Sequence, residues 1–345
     1  MTAPSPEQCR LAASLLLEAA GAPAPFQLVA LPGGPNNHVF RVDAAAARYI
    51  VKFYSQDATD RRRRLHSEFV FCEYAWRCGQ TAAQKPLARL PGHNAALYEF
   101  IDGTAIDAGS VTPAHIVEVM DFWAGLNAPA TVGLARDLPQ ASEACRTLAD
   151  HCRCVQLRLA RWAAGAIADP FELGVGSFVR QDVTTLWARI ERTLEAAQDL
   201  DLSLPIDQAI CPSDLGFLNV ILEAGGRLRF IDFEYGGWDD PAKCLSDMIL
   251  HPGVPLRPDL VPYITAVAAE RLGGEVMRRL RTVLPIHAIK WCLIVLNEFM
   301  PGATPRARTD RVETDLRQRH VDQLQKARVF LERARQCGAA SLALQ

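Results

Sequence analysis

Two hydrophobic rhythms divide the chain. Residues 6–21 place apolar side chains at helical spacing and stop at Gly21, before the Pro-rich "APAPF". Three short β-like runs follow: "FQLVAL" at 26–31, "HVFRV" at 38–42 and "RYIVKFY" at 48–54, with the turn-forming "PGGPNN" between the first two. Helical spacing returns over 60–79 and ends at Gly79. Two further short strands, "PLARL" at 86–90 and "AALYEF" at 95–100, lead into "IDGTAID".

Beyond residue 110 the texture is helical, over 112–126, 141–164, 182–199, 258–271, 275–297 and 308–335. A short-strand pair carrying Asp214, Asn219 and Asp232 interrupts it once. The pattern predicts an α+β chain in two lobes: a small sheet-rich lobe over 1–101 and a larger, mainly helical lobe over 102–345, joined at "YEFIDG". No internal repeat stands out, and the final "CGAASLALQ" is expected to fray.

Composition narrows the class. The chain has 345 residues, is 49% hydrophobic and 22% charged, and carries a net charge of −2, which suits a globular protein with a full core. That balance supplies no pull towards nucleic acid or an anionic membrane. Against it, the "RRRR" at 61–64 reads as a solvated face or a contact for a nearby anion. No uninterrupted run approaches the roughly 18 apolar residues of a membrane span. The opening "CRLAASLLLEAAGAPA" has no basic leader beyond Arg10 and reads as an amphipathic helix rather than an export signal. Ten cysteines form no CxxC pair; buried reduced thiols in a cytoplasmic protein are expected. Cys145, Cys152 and Cys154 with His151 are set aside as a zinc set, because structural zinc sites use tighter loop spacings.

Polar residues sit where the apolar pattern asks for burial. "CPSDLGFLNVIL" places Asp214 and Asn219 among large hydrophobics, and "RFIDFEYGGWDDPA" ends an apolar run on Asp232. Buried carboxylates are costly unless paired, hydrogen-bonded or bound to metal, so these residues either tie loops or form a site. Asn219 and Asp232 offer the oxygen donors that magnesium takes, which leaves Asp214 to accept a proton. Metal to neutralise phosphates and a base to orient a hydroxyl are what phosphoryl transfer from a nucleotide requires. In the first lobe, Lys52 lies among apolar residues and needs an anionic partner; Glu68, rather than Glu73, on the next helix is the one expected to clamp it. The turn holding Gly33, Gly34 and Asn37 is placed to offer backbone N–H groups to the same phosphates.

In this order, glycine turn, strand lysine, helix glutamate, connector, Asp-x4-Asn and strand Asp, the chain resembles the aminoglycoside phosphotransferase and choline kinase branch of the protein-kinase-like fold. The resemblance runs from about residue 25 to 300. It implies a bilobal fold that moves the γ-phosphoryl of ATP or GTP, with Mg²⁺, to the hydroxyl of a small molecule. By it Asp214 matches the catalytic aspartate, Asn219 and Asp232 the magnesium ligands, and Lys52 with Glu68 the phosphate-gripping pair. The backbone of Glu99 and Ile101 matches the hinge that binds adenine. One departure stands out: Pro212-Ser213-Asp214 replaces the family's His-Gly-Asp. Glu234 stands where protein kinases have the glycine of Asp-Phe-Gly, and Asp-Phe-Glu looks like the small-molecule branch. Only about seven residues separate Asp232 from the Asp-Asp-Pro that opens the next helix, too few for a protein kinase's activation segment. Asp240 is expected to cap that helix, with Pro241 as its first residue. Glu234, Tyr235 and Trp238 either line the acceptor pocket, where the aromatics would receive a cationic amine, or pack the second lobe. The rival reading is a nucleotide-binding pseudokinase that acts as sensor or scaffold. The acceptor and the oligomeric state are not legible.

Overall fold

A computed structural model describes residues 4–22, 25–32, 37–45, 47–55, 62–165, 167–198, 200–300 and 313–342. The chain forms two compact units, one of residues Met1–Ser142 and Ile210–Trp238, the other of Glu143–Ala209 and Asp239–Gln345. Compactness therefore groups the Asp214–Asp232 segment with the N-terminal sheet.

The first unit begins with α1 (Pro6–Ala19), opened by a capping box between Ser5 and Gln8. Five strands follow: β1 (Phe26–Leu31), β2 (Asn37–Ala44), β3 (Arg48–Tyr54), β4 (Pro86–Leu90) and β5 (Ala95–Glu99). They form an antiparallel sheet in the order β1-β2-β3-β5-β4. One face packs Val42, Val51, Phe53, Ala95 and Leu97 against Ala12, Ala13, Leu16 and Leu17 of α1. Strand side chains alternate between faces, so the same register turns Lys52 and Tyr54 to the opposite face. There α2 (Arg64–Arg77) presents Glu68 and Phe69.

Helix α3 (Pro113–Leu126) has a Thr112–His115 capping box and Pro113 in its first turn. Past β6 (Thr104–Ala105) and the return of the chain through β7 (Ala209–Cys211) come β8 (Val220–Leu222) and β9 (Leu228–Phe230). These three-residue strands make a hairpin whose turn holds Gly226 at φ 80°, and β6 adds to its edge. The Trp123 indole donates to the Ile210 carbonyl at 2.9 Å, Phe122 stacks on Phe230 at 4.3 Å, and Phe71 stacks on Phe233 at 4.8 Å. Buried aromatics of α2 and α3 thus fix both polar loops from beneath.

The second unit is helical: α4 (Leu148–Ala164), the single turn α5 (Val175–Ser177), α6 (Thr184–Ala196), α7 (Pro241–Leu250), α8 (Val261–Leu272), α9 (Gly274–Val295) and α10 (Glu313–Leu342). Several boundaries differ from the sequence pattern: α6 ends at Ala196 rather than 199, and α10 runs to Leu342 rather than 335, into the segment expected to fray. Helix α4 starts at Leu148, not 141, because Thr147 accepts from the Asp150 N–H and caps it there. The helix expected from 182 is preceded by a π-type turn at Phe178–Val183 that shifts its register. Asp240 caps α7 through the Ala242 N–H at 3.0 Å, with Pro241 in the first turn. Residues Gly274–Phe299 are long and apolar enough to cross a membrane, but 67% of the most apolar window is buried, and α9 packs as a core helix against α4, α7 and α10.

All ten cysteines are free thiols, eight of them buried. His151 turns from its neighbouring cysteines to Asp240 at 3.1 Å and His287 at 2.8 Å, so these residues do not converge as a zinc set.

Candidate active site

Lys52 is the centre of the charged cluster. It is buried on β3, and its Nζ donates to Glu68 Oε2 at 2.7 Å and to Asp232 Oδ1, with Glu234 Oε2 at 3.9 Å. Glu73, the other glutamate of α2, is exposed. Burial alone would lower the Lys52 pKa, but the carboxylates of Glu68, Asp232 and Glu234 outweigh it and hold the ammonium well above its ordinary range. Glu68 responds differently. Desolvation pushes its carboxyl up to about 7 despite Lys52, because it must share one ammonium with two other carboxylates.

Asp232 follows β9 and sits at φ 67°, in the left-handed region that non-glycine residues rarely adopt. The conformation aims its side chain back to Lys52, and strain of this kind gathers at functional sites. Ser213 repeats the feature at φ 64°, where the family's catalytic loop carries glycine. It turns the chain into Asp214, whose N–H donates to the Pro212 carbonyl at 2.9 Å.

Asn219 ends a short 3₁₀ turn, Phe217–Asn219, and donates its amide to the Asp214 carbonyl at 3.0 Å and to Asp214 Oδ2 at 3.1 Å. A carboxylate only accepts, so the amide nitrogen must face Asp214, and the amide oxygen is turned from it. The carbonyl of Asn219 accepts from the Ile231 N–H at 3.1 Å, which ties this loop to the residue before Asp232.

Oxygens of Glu68, Asp232 and Glu234 lie within 4.8 Å of one another. Asp232, with a side chain 36% exposed, is the one of the three reachable from solvent. Hard oxygen donors of this kind fit Mg²⁺, with Asp232 and Asn219 as the residues that would hold it.

The other sequence candidates fall as follows. Gly33 and Gly34 lie outside the described residues. Asn37, at the start of β2, donates its amide to Glu234 Oε2 at 2.7 Å. The Glu99 N–H is spent on the Lys85 carbonyl at 3.0 Å, and its carbonyl accepts from Gln84 at 2.9 Å with a second lone pair beyond that bond. Ile101 is buried beside it in the chain. Glu234 is buried and bound by Asn37 and by Arg64, rather than standing open in a pocket. Tyr235 accepts at its hydroxyl from Arg64 at 2.7 Å, and its ring is covered by Arg62 and Arg64 at 5.5 and 5.3 Å. This chain's own guanidinium groups therefore occupy the aromatic face considered for an amine. Trp238 donates its indole to the Ala135 carbonyl at 3.3 Å.

Arg64 is the residue that sequence reasoning missed. Its signal was present: Arg64 and Glu68 are four apart, on one face of α2, and that face is buried. The arginine run reads as a solvated face or a contact for a nearby anion, and Arg64 takes the second role, with Glu234 as the anion.

With this geometry in place, the comparisons assign the class. The chain matches the sequence pattern of the Phosphotransferase enzyme family over residues 27–280, and it belongs to that family. A choline/ethanolamine kinase family protein from Mesorhizobium loti superposes with a TM-score of 0.60 at 17% identity, over 96% of this chain and 97% of its own. Choline kinase from Cryptosporidium parvum gives 0.60 at 12% identity, over 92% and 90%. A spectinomycin phosphotransferase, solved with ADP and spectinomycin, gives 0.59 at 14% identity, over 94% and 98%. At these identities the likeness shows the fold, an α+β protein-kinase-like one. No curated protein matches the chain in sequence.

Proposed function

We propose that this phosphotransferase moves the γ-phosphoryl of ATP, or GTP, to a hydroxyl of a small molecule of the amino-alcohol, aminoglycoside or sugar-like class. One observation carries the reading: a buried lysine–glutamate pair meets a strained aspartate, Asp232, whose loop is tied to an Asp214–Asn219 couple. Relatives of this fold with choline, ethanolamine or spectinomycin in their names, and one solved with ADP, support it. Functional lobes at 1–101 and 102–345 follow from the same kinship.

Lys52, oriented by Glu68, grips phosphate oxygens, and Glu99 and Ile101 offer backbone groups to the base. Asp232 and Asn219 would hold Mg²⁺, which neutralises phosphate charge when bound. Asp214 orients the acceptor hydroxyl and takes its proton, while its bond from Asn219 keeps that carboxylate in place. Histidine at position 212 is not needed for these steps. Ten free thiols support the cytoplasm as the compartment. ADP release from the purified protein, measured against choline, ethanolamine, aminoglycosides, sugars and nucleosides, tests the reading. Acceptor-dependent release supports it, and release with none of them, alongside nucleotide binding, favours a pseudokinase.

A further inference from the structure

Arg64 and Glu234 form a buried ion pair, each 4% exposed, that none of the proposed catalytic steps uses. Removing one partner of such a pair strands a buried charge, so the pair is kept for a reason or replaced. Its surroundings supply a reason. Glu234 Oε1 accepts from Arg64, Oε2 accepts from Asn37 at 2.7 Å, and Oε2 stands 3.9 Å from Lys52 Nζ. A carboxylate at that distance needs about an ångström of movement to become a third hydrogen-bonded partner of the lysine. Lys52 already serves Glu68 and Asp232. When phosphate enters, Lys52 must exchange one carboxylate for a phosphate oxygen, and each extra competitor weakens that exchange.

We infer that Arg64 is a positioning residue for nucleotide binding: it holds Glu234 away from Lys52, so that the lysine stays available to phosphate. This rests on the phosphate-gripping role proposed for Lys52. The guanidinium suits the task, because it stays charged and its Nη1 donates to Glu234 and to the Tyr235 hydroxyl together. The hydroxyl and Asn37 fix the two ends of the device, one on the segment after Asp232 and one at the start of β2. Asn37 has a further mark of a built contact, since its Oδ1 is buried without a partner among the described residues. With Nδ2 committed to an acceptor-only carboxylate, the amide cannot turn over to satisfy that oxygen.

The device makes a prediction that a purely structural role does not. Arg64→Met leaves Glu234 to swing to Lys52, and the dissociation constant for Mg·ADP rises about tenfold, on the scale of one charge-assisted hydrogen bond. Glu234→Gln removes the competitor and binds at least as tightly as the wild type. The double variant Arg64→Met with Glu234→Gln returns to within about threefold of the wild type. Arg64→Lys, with its charge on a shorter, non-planar head, falls between the wild type and Arg64→Met, and serves if the methionine variant does not fold. Titration calorimetry on the full chain, with melting temperatures for each variant, reads all four. A double variant as weak as Arg64→Met, or Glu234→Gln as weak as Arg64→Met, overturns the inference. A wild type that binds no magnesium nucleotide ends the phosphotransfer reading itself, and this inference with it.

Discussion

Asn219 gives both of its amide hydrogens to one residue, the carbonyl and the carboxylate of Asp214, at 3.0 and 3.1 Å. One side chain therefore sets the direction of the candidate base, and its remaining oxygen takes no part in that contact. The base is held through an amide, which leaves its charge intact for proton transfer.

Asp214→Asn preserves shape and removes the base. Turnover on a productive acceptor is expected to fall by about 10²–10⁴, the usual share of general-base assistance, with Mg·ADP affinity within a few fold of the wild type. A stable, fully active variant in an ADP-release assay would contradict the catalytic role.

Glu68 makes the apo protein's stability depend on pH in a stated direction. Its folded-state pKa is raised to about 7 from the model-peptide value of 4.5, so the folded state keeps a proton that the unfolded state loses. Glu68's contribution to stability is thus greatest below about pH 4.5, falls as pH rises to about 7, and levels off above; its full span is about 3 kcal/mol. Glu68→Gln cannot titrate there, so urea denaturation at pH 5, 6, 7 and 8 should show wild type losing stability relative to the variant across that range. Parallel curves would mean that Lys52 neutralises Glu68 fully.

Periodicity made most elements visible, since β1, β3 and β4 follow runs that alternate or stay apolar, and the helices follow a wide apolar face. Lys52 and Glu68 were legible because an ionised group inside an apolar run demands a partner, and each had few candidates. What escaped depended on contacts far apart in sequence. Glu234 meets Arg64 across 170 positions, and β6 pairs with β8 across more than a hundred, with nothing local to announce either. Boundaries shifted where a cap or a π-type turn overrode the apolar rhythm, as at Thr147 and Phe178.

Gly236 tests how the Asp232 segment is seated. A Cβ there would lie 2.7 and 2.9 Å from carbons of the Phe71 ring, which itself stacks on Phe233. Gly236→Ala should destabilise by about 1–3 kcal/mol through overpacking and weaken nucleotide binding by displacing the loop. A variant with unchanged melting temperature and affinity would show that the aromatic stack gives way without cost.

Thr147→Ala removes the side-chain cap that sets the start of α4. The expected loss is about 1 kcal/mol, read as a lower urea midpoint with an unchanged slope, and nucleotide affinity should stay as it was. A larger loss with a changed slope would point to unravelling of the 141–147 segment.

The central claim is that Lys52, Glu68, Asp232 and Asn219 together hold a magnesium nucleotide. Its most direct test is the melting temperature of the full chain with ATP, with and without Mg²⁺, for the wild type and Asp232→Ala. Ligand at 100 times its dissociation constant adds about 2.7 kcal/mol to stability. The wild type should therefore show a clear upward shift that needs Mg²⁺, and Asp232→Ala should lose that dependence. No shift with any magnesium nucleotide, or the same metal-dependent shift in Asp232→Ala, would contradict the account.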